Sequence, residues 1–241
     1  MNILEVKSLT KHFGGLTAVN ELDLTLEKGQ ILGLIGPNGA GKSTAFNCIA
    51  GVYPPSAGEM FFNGELINGQ KPYSLCQKGL ARTFQIVKPF ASKTVLYNVT
   101  VGAFAHIDKR TEAEAKAIEV LKFLKLDGKK DVRAGNLTIA DRKRLEIARA
   151  LATDPGLLLL DEVMAGLRPT EVDHMVELIR ELRRKGMTIF LIEHIMRAIM
   201  ALSDRIIVIH FGKKIAEGTP VEVAADEKVI KAYLGEEYGL A

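Results

Sequence analysis

The chain has 241 residues, of which 47% are hydrophobic and 25% charged, with a formal net charge of +3. That length can bury a sizeable core and that balance excludes wholesale disorder, so one large α/β unit or a unit carrying an inserted lobe is expected. The charge is too slight and too scattered for a nucleic-acid binder, since its densest basic stretches are only Lys129-Lys130 and Arg142-Lys143-Arg144.

The chain starts on two segments that alternate apolar and polar residues, Ile3 to Leu9 and Glu21 to Leu26, as half-exposed antiparallel strands do. Three short apolar runs follow, Gln30 to Ile35, Gly156 to Leu160 and Met187 to Ile192, each leading through loop residues into a helical pattern. Repetition of that kind predicts a parallel sheet covered by helices on both faces. From Tyr73 to about Asn136 the pattern is mainly helical, with Thr111 to Leu126 spacing its apolar residues by three and four. The domain reading is therefore a core lobe from 1–72 and 153–241 with a helical lobe at about 73–152. A helix over Asp141 to Ala152 stops at Thr153-Asp154-Pro155-Gly156. Short strands are expected at Arg205 to His210 and Lys213 to Glu217, then a last helix from Val221 to Leu234.

Cys48 and Cys76 lack the spacing of a zinc site or a disulfide framework. No run approaches the roughly 18 apolar residues of a spanning helix, and Met1 is not followed by a basic start and a long apolar stretch. A cytosolic protein that meets a membrane only through a partner is expected.

Gly36-Pro37-Asn38-Gly39-Ala40-Gly41-Lys42-Ser43-Thr44 fits G-x-x-x-x-G-K-[ST] between an apolar strand and a helical run. Glycines let the backbone curl so that its N–H groups face phosphate oxygens, and the helix N-terminus adds positive character. Lys42 is then placed to neutralise the β and γ phosphates, Ser43 to offer its hydroxyl to Mg²⁺, and Thr44 to reach the α-phosphate. The second anchor is the apolar strand Leu157 to Leu160, which ends in Asp161-Glu162. A buried strand needs no acid, whereas a nucleotide hydrolase needs one for the Mg²⁺ shell, Asp161, and one to act as general base on water, Glu162.

Arg149-Ala150-Leu151 ahead of that strand, Gln85 within Arg82-Thr83-Phe84-Gln85, and His194 within Leu191-Ile192-Glu193-His194 resemble elements of ATP-binding-cassette ATPases, in the family's order and over nearly the whole chain. The resemblance implies a fold in which a P-loop sheet core carries an antiparallel β subdomain and an inserted helical lobe. It implies that Gln85 reaches Mg²⁺ or the lytic water, that His194 bonds the γ-phosphate, and that Phe13 stacks on adenine. It also implies a head-to-tail pair of ATPase subunits, in which Thr138 and Ala140 at one subunit's signature cap the partner's ATP.

The signature itself departs from the family pattern. Leu137-Thr138-Ile139-Ala140-Asp141 stands where Leu-Ser-x-Gly-Gln is usual, Val163 follows the glutamate where proline is common, and Arg168 replaces a frequent aspartate. Ala140 adds a methyl and Asp141 a negative charge near the expected phosphate, changes expected to weaken a closed pair.

Ala81 to Gln85, Asn98-Val99, the run Arg144 to Ala152, Ala165-Gly166-Leu167-x-Pro169 and Tyr233-Leu234-Gly235 resemble the smaller ATPases of branched-chain amino acid importers. That likeness implies transmembrane permease partners, a periplasmic solute-binding protein acting indirectly, and a peripheral place on the cytoplasmic face of the inner membrane. Urea or amide import, lipopolysaccharide export, a soluble cassette ATPase and a poorly hydrolysing subunit are the alternatives. No Asn-Lys-x-Asp for reading guanine is present.

Overall fold

The computed structural model describes residues 1–84 and 88–234. The first layer is an antiparallel sheet of β1 (Asn2–Phe13), β2 (Leu16–Glu27), β4 (Ala57–Phe62) and β5 (Glu65–Leu66), in the order β2-β1-β4-β5. β2 alternates buried and more exposed residues from Leu22 to Glu27, because only one face meets the interior, whereas register shifts in β1 leave Ile3-Leu4 and Leu9-Thr10 buried as pairs.

The second layer is a six-stranded sheet in the order β10-β9-β3-β8-β7-β6, made of β3 (Ile31–Ile35), β6 (Leu80–Arg82), β7 (Leu157–Asp161), β8 (Thr188–Ile192), β9 (Arg205–His210) and β10 (Lys213–Gly218). Five strands run parallel and β10 returns antiparallel along β9. Every residue of β3, β7 and β8 is buried, as expected of strands covered on both faces. Alternation decides which face each residue serves. Leu32, Leu34, Leu157 and Leu159 pack toward the antiparallel sheet and α1 (Lys42–Ile49), while Ile31, Ile35, Leu158 and Leu160 pack toward the remaining helices.

Those helices include α6 (Pro169–Arg184) and α7 (Met196–Leu202), which lie against the sheet core. Three others, α3 (Val95–Ala103), α4 (Arg110–Phe123) and α5 (Ile139–Leu151), pack on one another. The helical part begins later than the sequence pattern implies. After α2 (Pro72–Gln77) the chain forms β6, which pairs with β7 and so belongs to the sheet. Three residues are too few to leave a period-two pattern, which is why 73–82 reads as part of the helical lobe. The last helical stretch is also divided, into α8 (Pro220–Ala225) and α9 (Glu227–Leu234), because Asp226 leaves the helix in an extended conformation.

Among the described residues no helix is long and apolar enough to cross a membrane.

Candidate functional site

The turn from β3 into α1 is held by close backbone packing. A Cβ on Gly36 would lie 2.1 Å from the Ile209 carbonyl oxygen, and one on Gly41, whose φ is +103°, would lie 2.3 Å from that of Ala18. Only glycine fits either place. The Ala40 carbonyl accepts the Gly212 N–H at 2.9 Å, and the Gly212 carbonyl accepts the Asn20 N–H at 2.8 Å. The loop is therefore fixed both to β2 and to the turn between β9 and β10. Lys42 folds back over it, donating from Nζ to the Gly36 carbonyl at 2.7 Å and the Pro37 carbonyl at 3.0 Å. Burial pulls the Lys42 ammonium below its ordinary range, and the carboxylates of Glu162 and Asp161 oppose that shift.

At the carboxyl end of β7 the two acids diverge. Asp161 is buried; its N–H donates to Thr83 Oγ1 at 3.1 Å, and its Oδ2 lies 3.7 Å from Arg82 Nη2. Its other oxygen, Oδ1, is buried and has no hydrogen-bond partner among the described residues. Burial raises the Asp161 carboxyl, while Arg82 pulls it down. Arg82 is itself held by Asn47 Oδ1 at 2.7 Å and lies over the rings of Phe46 and Phe84.

Glu162 has a φ of +49°, in the left-handed region where a non-glycine residue is strained. The strain is offset by its N–H, which donates to the Ile192 carbonyl at 2.9 Å. Its carboxylate meets His194, whose Nε2 lies 2.5 Å from Glu162 Oε1.

A cavity of about 530 Å³ brings together Asn38, Gly39, Ala40, Gly41, Lys42, Ser43, Thr44, Glu162 and His194 with Phe13. Phe13 is partly exposed at the end of β1 and meets Tyr53 edge to face at 5.3 Å. Ser43 also opens onto a neighbouring cavity of about 520 Å³, together with Asp161, Arg82 and Glu146. An unpartnered carboxylate oxygen on one residue lining this cavity and a serine on another are a donor set that fits Mg²⁺. Gln85 lies outside the described residues. Thr138 and Ala140 line neither cavity. Both sit at the start of α5, with Thr138 and its neighbour Ile139 exposed.

The expected penalty from Asp141 takes a different form in the structure. Its Oδ2 is 2.5 Å from Lys129 Nζ and accepts the Thr138 hydroxyl at 2.9 Å, while Oδ1 lies 4.0 Å from Arg144. Thr138 Oγ1 in turn accepts the Asp141 N–H at 3.2 Å and caps the helix. The charge that looks unfavourable in isolation is neutralised within its own subunit. Four residues at the site carry no role in the sequence reading. They are Thr83 and Arg82 beside Asp161, Glu193 next to His194 in the chain, and Phe211, an exposed ring lining the cavity of about 530 Å³. Arg82 and Thr83 do fall inside a quoted motif; Phe211 is marked by nothing in the sequence.

The family model described as ABC transporter matches residues 19–165, well over half of the chain. The chain belongs to the ABC transporter family. It is an ATP-binding cassette ATPase with an α/β fold. A second model, described as branched-chain amino acid ATP-binding cassette transporter, matches residues 213–239 of this cassette. A high-affinity branched-chain amino acid transport ATP-binding protein of Pseudomonas aeruginosa, BraF, is 42% identical over 97% of the chain and 98% of its own length. The Escherichia coli protein LivG, described in the same words, is 41% identical over the same shares. Among solved cassettes, the ADP conformation of MJ1267, an ATP-binding cassette of an ABC transporter, superposes with a TM-score of 0.89 at 33% identity, covering 98% of this chain and all of that one.

Proposed function

We propose that this cassette powers the import of branched-chain amino acids by hydrolysing ATP, as a peripheral subunit on the cytoplasmic face of the inner membrane. The observation that carries the hydrolytic reading is the cavity in which Lys42 faces the Glu162 and His194 pair. ATP enters with its adenine toward Phe13 and its phosphates over residues 36–44, where inward N–H groups and the start of α1 match anionic oxygens. Glu162 takes a proton from the attacking water, and His194 holds the carboxylate in place and bonds the terminal phosphate. Bound Mg²⁺ would be held by Ser43 and Asp161, with Gln85 as a further ligand, and would neutralise charge on the β and γ phosphates.

The solute is argued from relatives rather than from the site. BraF and LivG are named for branched-chain amino acid transport, and the C-terminal segment matches a family model of the same description. The working unit is a pair of cassettes, because one cradle leaves the terminal phosphate open to solvent; Thr138 and Ala140 of one copy cover the nucleotide of the other. Pairing shifts the helical segment, and two permease subunits receive that motion, with a periplasmic solute-binding protein upstream.

Purified chain assayed for phosphate release with ATP and Mg²⁺ tests the hydrolytic reading. Detergent purification of the tagged chain tests the transport reading: recovery with two hydrophobic permeases supports it, and recovery with ribosomes or DNA overturns it.

A further inference from the structure

The loops that carry Glu162 and His194 leave adjacent strands, β7 and β8, which pair in parallel register up to Asp161 and Ile192. Between His194 and the end of β8 stands Glu193, only 2% exposed. Its Oε1 accepts the Met164 N–H at 2.8 Å, and the adjoining His194 backbone N–H favours its charged form. One side chain thus ties the peptide two residues beyond Glu162 to the residue that directly precedes His194.

A carboxylate is a costly filler for a position this deep, and packing alone would be better served by an apolar side chain. What it supplies that an apolar residue lacks is an acceptor oxygen that reaches from the end of β8 to the loop after Glu162. The charged groups facing it are Glu162, which opposes its ionisation, and Lys143 on α5, which favours it. Lys143 also donates to the Glu162 carbonyl at 2.9 Å, so the same small region is braced from the helical side.

We propose that Glu193 is a positioning residue for ATP hydrolysis, its carboxylate fixing the distance between the loop of Glu162 and the loop of His194. This rests on the reading that the Glu162 and His194 pair acts on ATP. Glu193 touches no substrate. It sets where the two groups that do can stand, and displacement of such groups by about 1 Å can cost up to a hundredfold in rate.

The test compares the parent chain with Glu193→Ala and Glu193→Gln, measuring kcat, KM for ATP, thermal midpoint and amide hydrogen exchange. In Glu193→Ala, kcat falls between about tenfold and a hundredfold while KM stays within about twofold, the signature of a group that acts on the transition state rather than on binding. Glu193→Gln keeps one acceptor oxygen and falls between that variant and the parent; if Glu193→Ala does not fold, the glutamine variant carries the comparison against the parent. Exchange at the Met164 amide quickens in step with the loss of rate. An unchanged kcat overturns the proposal, and so does a loss of kcat that merely follows the fraction of unfolded protein. Should the parent hydrolyse no ATP, the catalytic reading of the site fails, and unchanged protection of the Met164 amide in the variants then overturns the tie by itself.

Discussion

His194 Nε2 and Glu162 Oε1 stand 2.5 Å apart although 32 residues separate them in the chain. Neighbouring strands of one parallel sheet deliver both. Replacing Glu162 by Gln keeps the shape and removes the base. Phosphate release should fall by about 10²- to 10⁴-fold, the range general bases contribute, while ATP binding persists. Gel filtration with ATP and Mg²⁺ should show the variant as a dimer; hydrolysis equal to the parent would rule Glu162 out as the base.

Lys42→Ala removes the ammonium that spans the phosphate loop. Hydrogen bonds to charged groups contribute about 1.5–3 kcal/mol, so nucleotide affinity should fall roughly ten- to a hundredfold. Titration with a fluorescent ATP analogue measures the loss directly.

The Mg²⁺ site proposed at the unpartnered Oδ1 of Asp161 predicts that hydrolysis needs a divalent cation. Chelation with EDTA should abolish phosphate release and added Mg²⁺ should restore it. Asp161→Asn, which keeps the volume and loses the charge, should need much more Mg²⁺ for half-maximal rate; an unaltered Mg²⁺ requirement would place the metal elsewhere.

Thr138 caps α5 and also donates to the carboxylate of Asp141. Thr138→Ala should cost about 1 kcal/mol of stability, as loss of an N-cap does, and Thr138→Ser should recover most of it. Urea denaturation of the three proteins distinguishes this from a role confined to the partner's nucleotide, which would leave the midpoint unchanged.

Burial pushes the Glu193 carboxyl up to about 7 from an ordinary 4.5. A raised pKa means that the folded protein holds this proton more tightly than the unfolded chain. The stabilisation is therefore complete below about 4.5 and is lost as pH rises through about 7. Glu193→Gln carries no such charge, so its stability relative to the parent should improve between pH 5 and pH 8. The full span corresponds to a change on the order of 3 kcal/mol. Thermal midpoints of both proteins across that range give the slope, and parallel curves would contradict it. A variant that gains stability as it loses rate would mark a residue kept for activity at a structural cost.

What could be read in the sequence is local, and what could not be read depends on distant partners. The phosphate loop is legible because its glycines, lysine and flanking elements are contiguous, and β3, β7 and β8 are legible as unbroken apolar runs. The pairing of Asp141 is hidden from its immediate neighbours because Lys129, whose ammonium meets its carboxylate, lies 12 residues back across a turn. Glu193 looks like a spacer before His194 until the fold sets Met164, 29 residues earlier, against its oxygen. Phe211 reaches the cavity only because the β9 to β10 turn is bonded to Ala40 and Asn20. None of these pairings leaves a spacing that one sequence can display.

That same turn carries a mechanical consequence. Asn20, Gly212 and Ala40 form a continuous line of main-chain bonds from the antiparallel layer, through the edge of the parallel one, into the curl of residues 36–41. Shearing one layer past the other would break this line at the proposed phosphate cradle. On the proposed mechanism the nucleotide meets an anvil already set, and the travel of a power stroke is left to the helices beyond β6.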